Sequence, residues 1–275
     1  MEQIAIDNEI RAERTWLGEL EGFHFSPTFP RPNAFSLLFV HGAWSRDKIW
    51  KQSGVDVAIA GFNAYAMSLR GHGDSKPVAD LGKVSTEDYI ADIEEAAYSI
   101  RGPLVIIGHS MGSHLGAVAA HRNPGKVVGF IGAASAGGRW NFIGWKPAAA
   151  MMKRDYLDAM LGEKPFMIGR DDARKLAFNG ISEDGFEKTF SELQMESGLA
   201  MREIAFGKRA LPRLSCPSLI IAPEDDLLTP NQASISRSLG AELESIPGCH
   251  MVMLDRGHEM LARKIDSWLT RKFDL

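Results

Sequence analysis

The sequence has little cysteine and no excess of positive charge. Only 2 of its 275 residues are cysteine, Cys216 and Cys249, and their spacing matches no metal site. They could pair in principle, but a reduced state in the cytoplasm is the better interpretation. The formal net charge of −4 gives no reason to expect nucleic acid or an anionic membrane as a partner.

Long apolar runs are also missing. No run approaches the roughly 18 residues that are needed to span a bilayer, and residues 1–7 lack the basic and apolar regions of a signal peptide. We therefore expect a cytoplasmic protein without a membrane partner. The hydrophobic content of 45% is ordinary for a folded soluble protein, and 275 residues suffice for one large α/β domain with an insertion.

The most informative segment is an apolar run at residues 104–107 that leads into GHSMG at residues 108–112. Such a run predicts a strand that is buried on both faces, as in parallel sheets. The glycines around Ser110 permit a sharp strand-to-helix turn, because a Cβ there would clash with closely packed backbone. This turn exposes the serine at the start of a helix, which predicts Ser110 as a nucleophile. The alternative, a glycine-rich loop with a solvated serine, leaves the apolar strand unexplained.

Strands and helices alternate along most of the chain. Helical spacing is found at residues 86–100 and again from Arg256 onward. Apolar runs predict strands at residues 35–40, 63–69, 104–107, 127–131, 218–222 and 241–246. The alternation predicts an α/β fold with a mostly parallel, doubly wound sheet that helices cover on both faces. Active sites of such sheets lie beyond the carboxyl ends of the strands.

One segment, residues 138–206, interrupts the alternation with helix-like pieces and many large apolar residues. We predict a helical cap insertion at 138–206 and a core formed by residues 1–137 and 207–275. Trp140 and Trp145 follow a strand that ends at the active-site edge, so we predict that they line the substrate pocket. The alternative is that these rings only pack the cap against the core.

A nucleophilic serine needs a base, and the base needs an acid that orients it. Three carboxylates follow the predicted strand at residues 218–222, and we predict Asp226 as the acid. Its neighbours Glu224 and Asp225 are then turn-forming or solvated residues. The loop at residues 132–137, the other usual location, contains no carboxylate, which supports this choice.

Among the 8 histidines, His250 is the predicted base. It follows the predicted strand at residues 241–246, in a loop that is able to bring an imidazole over Ser110. His258 is the alternative, but it falls in a segment with helical spacing and has less freedom to reach the nucleophile. Three further histidines belong to turn motifs, where a supporting hydrogen bond is the expected role: His41, His72 and His109.

Attack by Ser110 would place negative charge on a carbonyl oxygen, which two convergent backbone N–H groups are able to stabilise. Met111, the residue after the nucleophile, is predicted to supply one of them. The loop HGAW at residues 41–44 follows the strand at residues 35–40 and is expected to supply the other. Ala43 is the predicted donor, and Trp44 is either an alternative donor or a wall of the substrate pocket.

With these motifs the chain resembles the α/β-hydrolase superfamily, in particular the capped branch of small esterases, lactonases, perhydrolases and C–C bond hydrolases. Four motifs carry the resemblance: HGAW at 41–44, RGHGDS at 70–75, GHSMG at 108–112 and the acid loop DLLTP at 226–230. The order of nucleophile, acid and base also agrees. Ser68 stands where many relatives carry an aspartate, and Cys249 stands where a glycine is usual before the histidine.

The resemblance covers residues ~20–137 and ~207–275 and implies no metal or organic cofactor. It says little about the substrate, because cap sequences vary widely within the superfamily. The predicted function is that of a serine hydrolase that cleaves a carboxylic ester or lactone of a small, largely apolar molecule through an acyl-enzyme. A C–C bond hydrolase or lyase on the same scaffold is the alternative among enzymes. A ligand receptor without turnover is the alternative from a different class. The small-molecule substrate is the predicted partner, and the oligomeric state is left open.

Overall fold

The computed structural model describes residues 3–6, 10–32, 35–137, 153–207, 210–254 and 257–275. The strands in these ranges are β1 (Gln3–Ile6), β2 (Ile10–Leu17), β3 (Leu20–Pro27), β4 (Ser36–Val40), β5 (Ala64–Met67), β6 (Leu104–His109), β7 (Val127–Ala133), β8 (Ser218–Pro223) and β9 (Glu242–Ile246). They form one sheet in the order β1-β2-β3-β5-β4-β6-β7-β8-β9. The strands from β5 to β9 in this order pair in parallel, whereas β1, β2, β3 and β5 pair antiparallel.

The helices of the described ranges are α1 (Lys51–Ile59), α2 (Thr86–Ser99), α3 (Met111–Arg122), α4 (Arg154–Leu161), α5 (Arg170–Leu176), α6 (Glu183–Ser191), α7 (Gly198–Ala205), α8 (Gln232–Leu239) and α9 (His258–Phe273). Two short 3-10 helices, Asp47–Trp50 and Leu81–Lys83, precede α1 and α2. α1 packs against α9, and α2 packs against α3.

The sheet has an apolar layer on each face, which confirms the predicted doubly wound α/β fold. Along β4, Leu37 and Phe39 contribute to one buried cluster, whereas Leu38 and Val40 contribute to the other. Successive side chains of a strand point to opposite faces, so a run that is apolar at every position needs cover on both sides. Every residue of β4 and β6 is buried.

The antiparallel strands β1, β2 and β3 were not predicted from the sequence. All three precede the first parallel strand, and they extend the sheet beyond β5. The side chains of β2 vary between buried and exposed. Such a strand lacks the uniform apolar character that marks the central strands.

Residues 153–206 contain α4, α5, α6 and α7, with an isolated antiparallel bridge between Phe166 and Glu196. Several large apolar residues here, including Tyr156 and Met160, are buried in the same cluster as core residues of β4. α4 packs against α7, which also contacts α2 of the core. The division into core and cap stays a prediction. Residues 138–152, with Trp140 and Trp145, lie outside the described residues.

Candidate active site

Ser110 connects β6 to α3 in a backbone conformation that residues with a side chain rarely adopt, with φ 49° and ψ −116°. Residues under such strain cluster at functional sites. The turn is also too tight for a side chain at Gly108 or at Gly112, the two glycines that flank it. A Cβ at Gly112 would lie 2.3 Å from the His41 carbonyl oxygen, and one at Gly108 would lie 2.5 Å from the Gly112 oxygen. Neither glycine can be replaced without a backbone shift.

Asp226 and His250 are brought together by the loops after β8 and β9. The His250 Nδ1 atom lies 3.0 Å from Asp226 Oδ2 and 3.1 Å from Oδ1. The carboxylate also accepts the N–H groups of Leu228 and Thr229, each at 2.9 Å, and the Thr229 hydroxyl at 2.6 Å. Burial alone would raise the pKa of Asp226, but His250 and the Thr229 hydrogen bonds lower it to about 2. An ionised Asp226 therefore orients the imidazole through Nδ1.

Ser110 and His250 line one cavity of about 30 Å³. Its other walls are mostly apolar: Ala43, Trp44, His109, Ile168, Ala173, Ala177, Phe178, Leu193, Leu228 and Met251. Three of the predicted site residues, Ser110, Asp226 and His250, thus lie at one edge of the sheet, beyond the carboxyl ends of β6, β8 and β9. The walls come partly from the core and partly from residues 168–193 of the predicted cap.

The rival residues lie elsewhere. His258 begins α9, and its Nδ1 atom lies 3.5 Å from Asp56 on α1. Glu224 and Asp225 are exposed, and the Asp225 backbone N–H donates to the Gly248 carbonyl. Of the three adjacent carboxylates, the buried one is Asp226.

The loop after β4 places Ala43 and Trp44 in the cavity wall, and Met111 begins α3 directly after Ser110. The Trp44 N–H donates to a carboxylate oxygen of Glu196 at 3.2 Å. Among the hydrogen bonds of the described residues, none uses the N–H of Ala43 or of Met111. Of the two sequence alternatives in this loop, the Trp44 N–H is therefore already bound, whereas the Ala43 N–H has no hydrogen-bond partner among the described residues, and both residues line the cavity.

Two buried imidazoles support this backbone as neutral groups. His41 Nε2 accepts the Leu69 N–H at 3.0 Å, so its Nδ1–H donates to the Gly42 carbonyl at 2.8 Å. His109 Nε2–H donates to the His250 carbonyl at 3.0 Å. Burial lowers the pKa of both imidazoles to about 3, helped by the neighbouring imidazole of His72 beside His41 and that of His250 beside His109.

A comparison with known families decides the classification. The sequence profile of the alpha/beta hydrolase family matches residues 37–263, most of the chain. The chain belongs to this family. The match includes the loop after β4, the Ser110 turn and the loops of Asp226 and His250, so the sequence-based identification of the superfamily is confirmed.

Solved alpha/beta hydrolase structures resemble the chain along nearly its whole length. A thermophilic esterase from Thermogutta terrifontis has a TM-score of 0.71 at 21% identity, covering 98% of this chain and 96% of the other. A monoacylglycerol lipase from Paleococcus ferrophilus has a TM-score of 0.67 at 19% identity, covering 93% and 100%. E-2-(acetamidomethylene)succinate hydrolase has a TM-score of 0.66 at 20% identity, covering 97% and 100%. At these identities the likeness shows the fold. No curated protein matches the sequence.

Sequence reasoning missed several residues that hold this hydrolase site in place. Gln232 of α8 bridges two loops: its side chain accepts the Ser135 N–H and donates to the carbonyl oxygens of Ser135 and Thr229. Thr229 lies inside the motif at residues 226–230, but only the structure shows that its hydroxyl donates a hydrogen bond that holds the Asp226 carboxylate. Glu196 lies in a segment without any motif, and no sequence signal pointed to it.

No group of three metal-ligating side chains has a geometry that could hold a metal ion within the described ranges. No helix in the described part of the chain has the length and apolar character to cross a membrane.

Proposed function

We propose that this alpha/beta hydrolase is a serine hydrolase that cleaves a carboxylic ester or lactone of a small, largely apolar molecule through an acyl-enzyme. The observation that carries the proposal is the ionised Asp226 bound to His250 Nδ1 at the cavity that Ser110 also lines. A serine becomes a useful nucleophile when an oriented imidazole removes its proton.

In the proposed reaction, His250 Nε2 takes the proton of Ser110 Oγ as the oxygen attacks the substrate carbonyl. Asp226 stabilises the imidazolium that forms. The N–H groups of Ala43 and Met111 bind the oxyanion. The tetrahedral intermediate collapses to an acyl-enzyme, and His250 delivers the proton to the departing alkoxide. A water molecule that His250 deprotonates then attacks the acyl carbon and releases the acid and the free serine.

The cavity walls support an apolar substrate. Apart from the catalytic residues and His109, the side chains around the cavity are aliphatic or aromatic. Ligand sites of this type bind through apolar contact and use few polar groups for orientation. Because Ser110 lies in the wall of this apolar cavity, we propose that the acyl group of the substrate occupies it. Trp140 and Trp145 stay predicted walls for the remainder of the substrate.

Replacement of the nucleophile tests the proposal. The wild type should react with a fluorophosphonate probe and hydrolyse members of a panel of p-nitrophenyl esters, lactones and semialdehyde dienoates. Ser110→Ala should abolish labelling and reduce turnover by about 10⁴-fold or more with its fold intact, because removal of a triad member has effects of this size.

Ser99→Ala, at the exposed end of α2, is the control and should label like the wild type. Residual turnover above a tenth of wild type in Ser110→Ala would refute Ser110 as the nucleophile. A wild type that neither labels nor turns over any panel member would favour the receptor alternative. Turnover of the dienoates alone would favour C–C bond hydrolysis.

A further inference from the structure

Trp44 has a left-handed backbone with φ 61°, which is a strained conformation for a bulky residue. Its three hydrogen bonds all come from the predicted cap. The Trp44 N–H donates to Glu196 Oε2 at 3.2 Å, its carbonyl accepts the Gln194 N–H at 2.8 Å, and its indole N–H donates to the Phe166 carbonyl at 3.2 Å. Strain of this kind persists only where the surroundings hold it in place. Here the segment containing residues 166–196 does so.

The Glu196 side chain is fully buried between cap and core. One of its oxygens accepts the Tyr89 hydroxyl and the Ser197 N–H, each at 2.7 Å. The other accepts the Trp44 N–H and lies 3.4 Å from His72 Nε2. Burial alone would raise the pKa of Glu196, but the charge of His72 and these hydrogen bonds lower it. The carboxylate is therefore ionised, and each of its two oxygens accepts a hydrogen bond from the protein.

We infer that Glu196 is a positioning residue for the oxyanion hole. By binding the Trp44 N–H, its carboxylate fixes the strained loop and positions the N–H of Ala43, a residue of the cavity wall, as the oxyanion donor. The inference rests on the proposed function, because an oxyanion hole matters only if Ser110 forms a tetrahedral intermediate. If Glu196 has this role, the geometry of the oxyanion hole depends on how Glu196 packs against the core.

The chain offers a matched control in Glu203 of α7. This carboxylate is also buried between the predicted cap and the core, where it accepts the N–H of Thr86 at 2.9 Å and its hydroxyl at 2.6 Å. Thr86 begins α2 and does not belong to the oxyanion loop. Glu203→Gln therefore perturbs a similar contact between cap and core without touching Trp44.

The test compares Glu196→Gln with Glu203→Gln in ester hydrolysis, in inhibition by a boronic acid that forms a tetrahedral adduct with serine, and in thermal unfolding. Glu196→Gln should lower kcat by about 10- to 100-fold with KM within threefold, since a displacement of about 1 Å costs about 10² in rate. The boronate Ki should rise in parallel with the loss in kcat, because the adduct needs the oxyanion donors. Glu203→Gln should leave kcat and Ki within threefold of wild type.

Equal kcat losses in both variants, or a Glu196→Gln loss confined to KM, would overturn the inference while leaving the proposed function intact. A wild type without turnover or labelling would instead overturn the proposed function. If Glu196→Gln does not fold, Glu196→Asp takes its place. It keeps the charge but withdraws the carboxylate from the Trp44 N–H by one methylene, and the same kcat and Ki changes are expected.

Discussion

The carboxylates of Asp225 and Asp226 are adjacent in sequence and differ in environment. Asp226 is buried, and its oxygens are bound by His250, Thr229 and the Leu228 N–H. Asp225 is exposed, and its backbone rather than its carboxylate joins the loops. Burial of a charged carboxylate is unfavourable unless the group is paired and hydrogen-bonded, and Asp226 meets both conditions. These contacts hold the ionised Asp226 carboxylate in one orientation.

Asp226→Asn should lower kcat by about 10²- to 10⁴-fold, because an amide no longer favours the imidazole tautomer and the cation that catalysis needs. Steady-state kinetics on an ester that the wild type hydrolyses measures the loss. Asp225→Asn serves as the control and should stay within about threefold of wild type. Equal losses would leave the identity of the acid open, and a loss confined to Asp225→Asn would assign it to the other carboxylate.

At the scale of elements, the site depends on how closely the amino end of α3 approaches the carboxyl end of β4. A Cβ at Gly112 would lie 2.3 Å from the His41 carbonyl oxygen and 2.6 Å from that of Val40. Both obstacles are backbone atoms, so a side chain at position 112 must push the helix away from the strand. That displacement would also move Ser110 and the Met111 N–H.

Gly112→Ala should therefore lower both stability and activity. We expect the free energy of unfolding to fall by about 1–3 kcal/mol, as for other overpacked cores, and kcat to fall by at least tenfold. Urea unfolding and ester hydrolysis measure the two effects. Gly125→Ala, where a Cβ has no neighbour within 4 Å, is the matched control. A Gly112→Ala protein as stable and active as this control would show that the strand and helix tolerate separation.

At the scale of the whole molecule, buried titratable groups couple stability to pH. The pKa of His41 and of His109 is about 3 in the folded protein against an ordinary 6.5, so both take up a proton on unfolding below pH 6.5. Burial and the charge of Glu21 raise the pKa of Asp47 from 3.8 to about 6, so this residue releases a proton on unfolding between those values. Near pH 5 the two histidines therefore take up about two protons on unfolding and Asp47 releases about one, and toward pH 4 Asp226 and Glu196 take up further protons because their pKa values are lowered in the folded protein.

Because the unfolded chain binds more protons there, stability should fall as the pH is lowered from 6 to 4, by about 1.4 kcal/mol per pH unit near pH 5 and more steeply below it. Urea unfolding at several pH values measures this slope. His109→Gln keeps a donor for the His250 carbonyl but removes one titrating group, so its slope near pH 5 should be smaller than that of the wild type by about 1.4 kcal/mol per pH unit. His121→Gln, at an exposed histidine, should keep the wild-type slope. A slope that His109→Gln does not change would contradict the assignment.

The parallel part of the fold and the position of the Ser110 turn could both be predicted from the amino-acid sequence alone. Runs such as residues 104–107 are apolar at every position. Such a local pattern predicts burial of both faces of the strand, whichever strands and helices pack against it. The tight turn is equally local, because the glycines at 108 and 112 mark where backbone must approach backbone. The fold class was therefore predictable and is confirmed.

Which polar groups contact one another could be seen only in the folded protein. The Trp44 N–H is bound by a carboxylate 152 positions further along the chain, and His258 faces Asp56 on a neighbouring helix. The antiparallel extension of the sheet by β2 and β3 belongs here too, because their pairing depends on the edge that β5 presents. Hydrogen bonds between distant residues leave no periodic signal, since they depend on the distance and direction of two atoms that only packing brings together.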